Sequence, residues 1–242
     1  MLRRGVNFNF RDISWNRPVA NASRVITREF ASASRKPAAS KSNAREVYPS
    51  GSTKQHSNLA SFLEYAKRAG LDEKSTFFTG TRYEYLVAER LARYGFSLQR
   101  VGGASDFGID LLGHWTIPST SQTVRVLVQC KAGAHKKGPH FIRELEGSFV
   151  GAPPGWRGSG VLGLMVAERE ATKGVRDAVG RSNLPMGYFC CSRDGVVRQM
   201  LWNQRAEEEG LEGIGVGLRR GSGEKDSEVV LMKNGEPLPF VE

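Results

Sequence analysis

An α/β fold, built as a mixed β-sheet flanked by helices, follows from three features of this 242-residue chain. Val161-Leu-Gly-Leu-Met-Val-Ala167 is an unbroken apolar run of strand length, the pattern of a strand covered on both faces. Residues 124–131 alternate instead: Val124, Val126, Val128 and Cys130 share one face, while Leu127, Gln129 and Lys131 share the other. Segments with apolar residues at helical spacing recur between such runs, and a hydrophobic content of 39% suffices for one core.

The first 55 residues are expected to stand outside that fold as a disordered targeting segment, with the domain running from 56 to 242. They hold eight Arg and three Lys against Asp12, Glu29 and Glu46, a net +8 out of +10 for the whole chain. Ser and Ala abound, and Pro18, Pro37 and Pro49 interrupt them, so this stretch cannot bury enough to fold alone. On a helix, Arg24 and Arg28 would lie opposite Ala22, Ile26, Phe30 and Ala33. A basic amphipathic segment without a long apolar core is the pattern of a mitochondrial targeting peptide. The plainer reading is a basic arm that touches nucleic acid. No apolar run reaches the length of a membrane span, and the three cysteines have neither zinc-site nor disulfide spacing.

Leu59, Phe62, Leu63 and Ala66 predict a short helix over 59–69, stopped by Gly70. A second helix is predicted over 80–94, capped by Thr79 and ended by Gly95. Its buried stripe is Glu84, Val87, Ala88, Leu91 and Tyr94; Arg82, Glu89 and Arg93 face away. Glu84 is thus the only charge on the inward face. It is either a site residue or half of a structural ion pair with an arginine.

Residues 96–101 read as a strand, and Gly102-Gly103 turns the chain into a segment holding Asp106 and Asp110. Asp106 lies in a Gly-flanked polar turn, as a cap or supporting group. Asp110 stands in the apolar run Ile109-Asp-Leu-Leu112, a carboxylate placed inside a strand. Strands do not carry unpaired charges inward unless these meet each other or a metal. Beyond Lys131, the cluster Lys136, Lys137, His140 and Arg143 can neutralise phosphates beside a scissile bond, or form an ordinary solvated loop. A helix over 141–150, a strand over 160–167, a helix over 171–181 and a strand over 186–192 follow; Asp194-Gly195 then turns into a strand over 196–202. The last forty residues read as short peripheral strands or loops.

Helix-borne Glu84, then Gly108-Ile-Asp110, then Val128-Gln129-Cys-Lys131 resembles the PD-(D/E)XK nuclease superfamily in its Mrr-like restriction-endonuclease branch. With the Arg-rich presequence and Phe141-Ile-Arg-Glu-Leu-Glu-Gly147, the chain looks like the fungal mitochondrial family named required for respiratory growth protein 7. The resemblance covers about residues 75–205 and implies a restriction-endonuclease-like sheet and a catalytic set of Glu84, Asp110, Gln129 and Lys131. It also implies Mg²⁺ or Mn²⁺ held by Asp110, Gln129, Glu84 and the Cys130 carbonyl, with DNA as substrate and a homodimer as one form of assembly. RNA is the other nucleic-acid target to weigh.

The chemistry has its own logic. Phosphodiester hydrolysis needs on the order of 20 kcal/mol of transition-state stabilisation to run in seconds, and a divalent cation supplies most of it. Mg²⁺ takes oxygen ligands and keeps several waters, so one or two carboxylates with a carbonyl are enough. Lys131 would orient water and balance developing charge. Gln129 brings no charge, which weakens the site, and alone the Gln-Cys-Lys run reads as an edge strand. The competing expectation is therefore a catalytically silent protein of the same fold that binds or scaffolds.

Overall fold

Ser75 decides where the longest helix begins. Its hydroxyl accepts from the Phe78 N–H at 3.1 Å, so α2 runs Thr76–Ala92 and starts one turn before the predicted cap at Thr79. Such a cap contributes about 1 kcal/mol, and here it outcompetes the later threonine. The computed structural model describes residues 45–49, 55–103, 108–220 and 227–242. The predicted basic helix of the tail and Asp106 lie outside the described residues. The helix before α2, α1 (Leu59–Ala69), is held at one end by reciprocal bonds between Asn58 and Ser61, and at the other by Gly70 at φ 61°. It buries Phe62 and Ala66 against Phe78 and Tyr85 of α2.

Six strands form one mixed sheet in sequential order: β1 (Phe96–Arg100), β2 (Leu111–Thr116), β3 (Thr123–Lys131), β4 (Val161–Ala167), β5 (Met186–Cys191) and β6 (Val197–Trp202). The first three pair antiparallel, β3, β4 and β5 run parallel, and β6 returns antiparallel. Parallel neighbours need crossovers, and the helices α3 (His140–Gly151) and α4 (Lys173–Arg181) provide them.

The alternation of β3 divides the core as the sequence predicts. Val124, Val126 and Val128 pack with Leu86, Val87 and Leu91 of α2. Leu127 packs on the other face with Ile142, Leu145 and Phe149 of α3 and Val175 and Val179 of α4. Trp115, fully buried on the α2 side, stacks on Phe96 with ring centres 4.5 Å apart and donates its Nε1–H to the Tyr94 carbonyl. β4 is buried at every position, as its apolar run requires.

Two expectations need correction. The last forty residues include a second sheet of β7 (Ile214–Arg220), β8 (Ser227–Lys233) and β9 (Glu236–Pro237), and Ile214, Val229 and Leu231 enter the α2-side core. Their glycine-rich sequence hides this, because only alternate positions need be apolar in a strand with one covered face. Residues 45–48, assigned by composition to the tail, pack on the domain. Val47 exchanges bonds with Pro154 and Trp156, Glu46 reaches His114 at 3.0 Å, and Tyr48 meets Trp156 edge-on.

Candidate functional site

At one end of the sheet, β2 begins one residue after Asp110. Asp110 therefore stands at the threshold of the strand and not inside it, because its carboxylate takes over part of the pairing with β3. Its N–H donates to the Val128 carbonyl at 2.9 Å, and its Oδ2 accepts from the Cys130 N–H at 2.6 Å. The residue thus clasps β3 on either side of Gln129. The Asp110 carbonyl accepts from the N–H groups of both Val101 and Gly102, which ties the end of β1 to the same spot.

Glu84 arrives from α2. Its Oε2 and the Oδ1 of Asp110 lie 3.4 and 3.2 Å from the point where a Cβ on Gly102 would sit. A side chain at 102 would fill the space the two carboxylates share, which gives that glycine a reason. Glu84 also pairs with Arg100 of β1, Nε to Oε2 at 2.5 Å, and both side chains are only 11–12% exposed. This is the structural ion pair weighed for Glu84, and it coexists with the approach to Asp110. Arg100 is braced in turn: its Nη2 is 3.5 Å from the Thr81 hydroxyl and its guanidinium 5.8 Å from the Tyr85 ring. The Tyr85 hydroxyl bonds His56 Nδ1 at 2.8 Å.

Gln129 and Lys131 project toward α3. The point where a Gly108 Cβ would sit, at a φ of 76°, is 3.1 Å from Gln129 Nε2 and 2.7 Å from the Ser148 hydroxyl. Gln129 is 5% exposed, and its Oε1 has no hydrogen-bond partner among the described residues. Leaving such an oxygen buried and unsatisfied costs about 1–3 kcal/mol. Lys131 pairs with half-exposed Glu144 at 3.3 Å and lies over the Phe141 ring. The predicted quartet is thus held in two pairs, Glu84 with Asp110 on the α2 side and Gln129 with Lys131 on the α3 side, joined by the clasp of Asp110 on β3.

The donors present fit a hard cation. They are two carboxylates and a buried amide oxygen lacking a partner, an all-oxygen set. Burial, then Asp110 and Glu84, push the Cys130 thiol well above its ordinary value, so it stays protonated in the metal-free protein. No group of three His, Cys, Asp or Glu suited to a metal occurs among the described residues, so the amide oxygen and water must complete any shell.

Of the predicted phosphate contacts, Lys137 and His140 meet at the Phe141 ring that Lys131 also covers. Lys137 turns back to the Ala132 carbonyl at 3.0 Å, and burial lowers its ammonium below the ordinary value. His140 stacks on Phe141, Arg143 is exposed on α3, and Lys136 is exposed beside a cleft. The residue that sequence reasoning missed is Arg100. It falls in the same alternation as Phe96 and Leu98, so a charge at an inward position was the available signal, the one that singled out Glu84.

A family model described as "Required for respiratory growth protein 7" matches residues 75–125 and 118–217, which takes in every member of the quartet. The chain belongs to that family. Among its relatives, an uncharacterised mitochondrial protein of Schizosaccharomyces pombe is 33% identical over 155 residues, 62% of this chain and 61% of the relative. The required for respiratory growth protein 7 of Saccharomyces cerevisiae is 25% identical over 174 residues, covering 54% of this chain and 72% of the relative. That of Vanderwaltozyma polyspora is 29% identical over 119 residues, 32% of this chain and 48% of the relative. The chain therefore spans about three-fifths of the fission-yeast relative. No solved structure matches. These relatives carry mitochondrial names, and the protein is mitochondrial. No helix among the described residues is long and apolar enough to cross a membrane.

Proposed function

We propose that this family member is a divalent-metal-dependent phosphodiesterase of the PD-(D/E)XK type, acting on DNA in mitochondria and serving genome maintenance and respiratory growth. The observation that carries the reading is the meeting of the Asp110 and Glu84 carboxylates at Gly102, next to β3, where the buried Gln129 amide oxygen lacks a partner among the described residues. Asp110 and Glu84 would hold Mg²⁺ or Mn²⁺ from the α2 side with the Cys130 carbonyl as a further ligand, and the Gln129 amide oxygen, on the α3 side of β3, would reach the ion through water. When bound, the ion supplies Lewis-acid stabilisation of charge on the phosphoryl oxygens.

The residues themselves do the rest. The Cys130 N–H fixes the Asp110 carboxylate in one orientation. Lys131 brings a positive charge to the same strand end, and Glu144 restrains its ammonium until an anionic substrate competes for it. The exposure of Glu144 makes that restraint weak.

The test is cleavage of duplex DNA by the purified full chain with Mg²⁺ or Mn²⁺, against EDTA and against Asp110→Asn and Lys131→Ala. Loss of metal-dependent cutting in both folded variants supports the reading. Cutting that survives both, or wild-type protein that never cuts DNA or RNA, refutes it. A second reading, a silent nuclease-fold scaffold, is favoured by the Arg100 guanidinium, which already neutralises Glu84. Fold and activity are separable, so the two readings share every residue named above.

A further inference from the structure

Just past the carboxyl ends of β3, β4 and β5 the chain leaves a cleft of about 630 Å³. In open α/β sheets ligands bind in the crevice outside the carboxyl ends of the strands, where the connecting segments diverge. All three connections contribute here: Lys136 follows β3, Arg169 to Thr172 follow β4, and Ser192 to Asp194 follow β5.

The cleft lies on the same face as Lys131. Lys131 pairs in register with Ala167, and Ala167 with Cys190, so the three stand in a row across the parallel strands. Cys190 lines the cleft, two strand spacings or roughly 10 Å from Lys131.

Its charges suit a phosphate chain. Lys136, Arg169, Arg193 and Arg198 line it, and α4 points its N-terminus there through the Thr172 cap. Three acids also line it: Glu168 accepts from the Gly133 N–H at 2.9 Å, Asp194 pairs with Arg198 at 3.6 Å, and Glu170 is exposed with no ion pair among the described residues, so the four basic side chains exceed the acids by one. Lys136 and Arg193 are exposed and have no ion pair among the described residues. Burial pushes the Cys190 thiol at the cleft wall up to about 11.

We propose that this cleft holds backbone phosphates of the nucleic-acid strand beside the scissile bond, with Lys136 and Arg193 as the principal contacts. The assignment rests on the phosphodiesterase reading and adds a place for the strand that the motif residues do not provide. A free nucleotide offers the same phosphate chemistry from another source.

The experiment is fluorescence anisotropy of a labelled oligonucleotide with the full chain in EDTA, comparing wild type with Lys136→Glu/Arg193→Glu. Both positions are exposed, so the variant keeps its fold, and the basic tail contributes equally to both proteins. The expected result is at least tenfold weaker binding, with the slope of log affinity against log salt shallower by about 1.5. Unchanged affinity and slope while wild type still binds and cuts overturn the cleft assignment alone. If wild type binds no nucleic acid, both the cleft and the phosphodiesterase reading fall. A nucleoside monophosphate that displaces the oligonucleotide at equal or lower concentration overturns the strand in favour of a free nucleotide. Asp110→Asn serves as the complement: it should bind as wild type does and fail to cut.

Discussion

Arg100 and Glu84 form a near-buried ion pair, Nε to Oε2 at 2.5 Å, at the place where Glu84 also approaches Asp110. A guanidinium and a divalent cation at this spot would compete for the same carboxylate. Arg100→Gln should therefore lower the metal-free stability by about 3 kcal/mol, because it strips a charge partner from a buried acid. In a domain of this size that is a fall of roughly 10 °C in melting temperature. Mg²⁺ should then raise the melting temperature of the variant more than that of wild type. Equal metal shifts in the two proteins would remove Arg100 from any competition.

Asp110 has two duties that separate by substitution. Its Oδ2 satisfies the Cys130 N–H, so Asp110→Ala should cost about 1–3 kcal/mol by orphaning that donor. Asp110→Asn keeps an acceptor there and should melt closer to wild type, yet lose metal binding equally. Urea unfolding of the pair, with and without Mg²⁺, checks both halves; matching midpoints for Ala and Asn would refute the structural duty.

Gln129→Glu would add an anion at a position 5% exposed. Without metal it should destabilise, since a third carboxylate would join Asp110 and Glu84 at one strand end. With millimolar Mg²⁺ it should recover stability and bind the ion more tightly than wild type. Calorimetric titration reads this directly, and weaker metal binding than wild type would take the Gln129 oxygen out of the metal site.

His56 links α1 to the brace of Arg100 through Tyr85. Burial, and then the charge of Arg100, hold its imidazole below the ordinary value of 6.5. The unfolded chain thus takes up a proton at higher pH than the folded one, and stability falls as pH drops through 6.5 toward the lowered folded value. Melting curves between pH 8 and 5 should show a part of this slope vanish in His56→Phe. An identical slope in the variant would free His56 of the effect.

The sequence by itself determined the main sheet and the two faces of β3, because periodicity of two and of 3.6 directly records which side of each element meets the core. It also marked Glu84 as a charge on an inward stripe, by the same logic. Tertiary structure alone decided what those charges meet. Arg100 is sixteen positions from Glu84 and Asp110 twenty from Cys130, and no local pattern encodes a distance across strands. The start of β2 after Asp110 was likewise hidden, since a side-chain acceptor replaces a backbone one without changing the apolar run. So was the cleft: Lys136, Arg169 and Arg193 are scattered between elements, and only the parallel order of β3, β4 and β5 brings their loops to one edge.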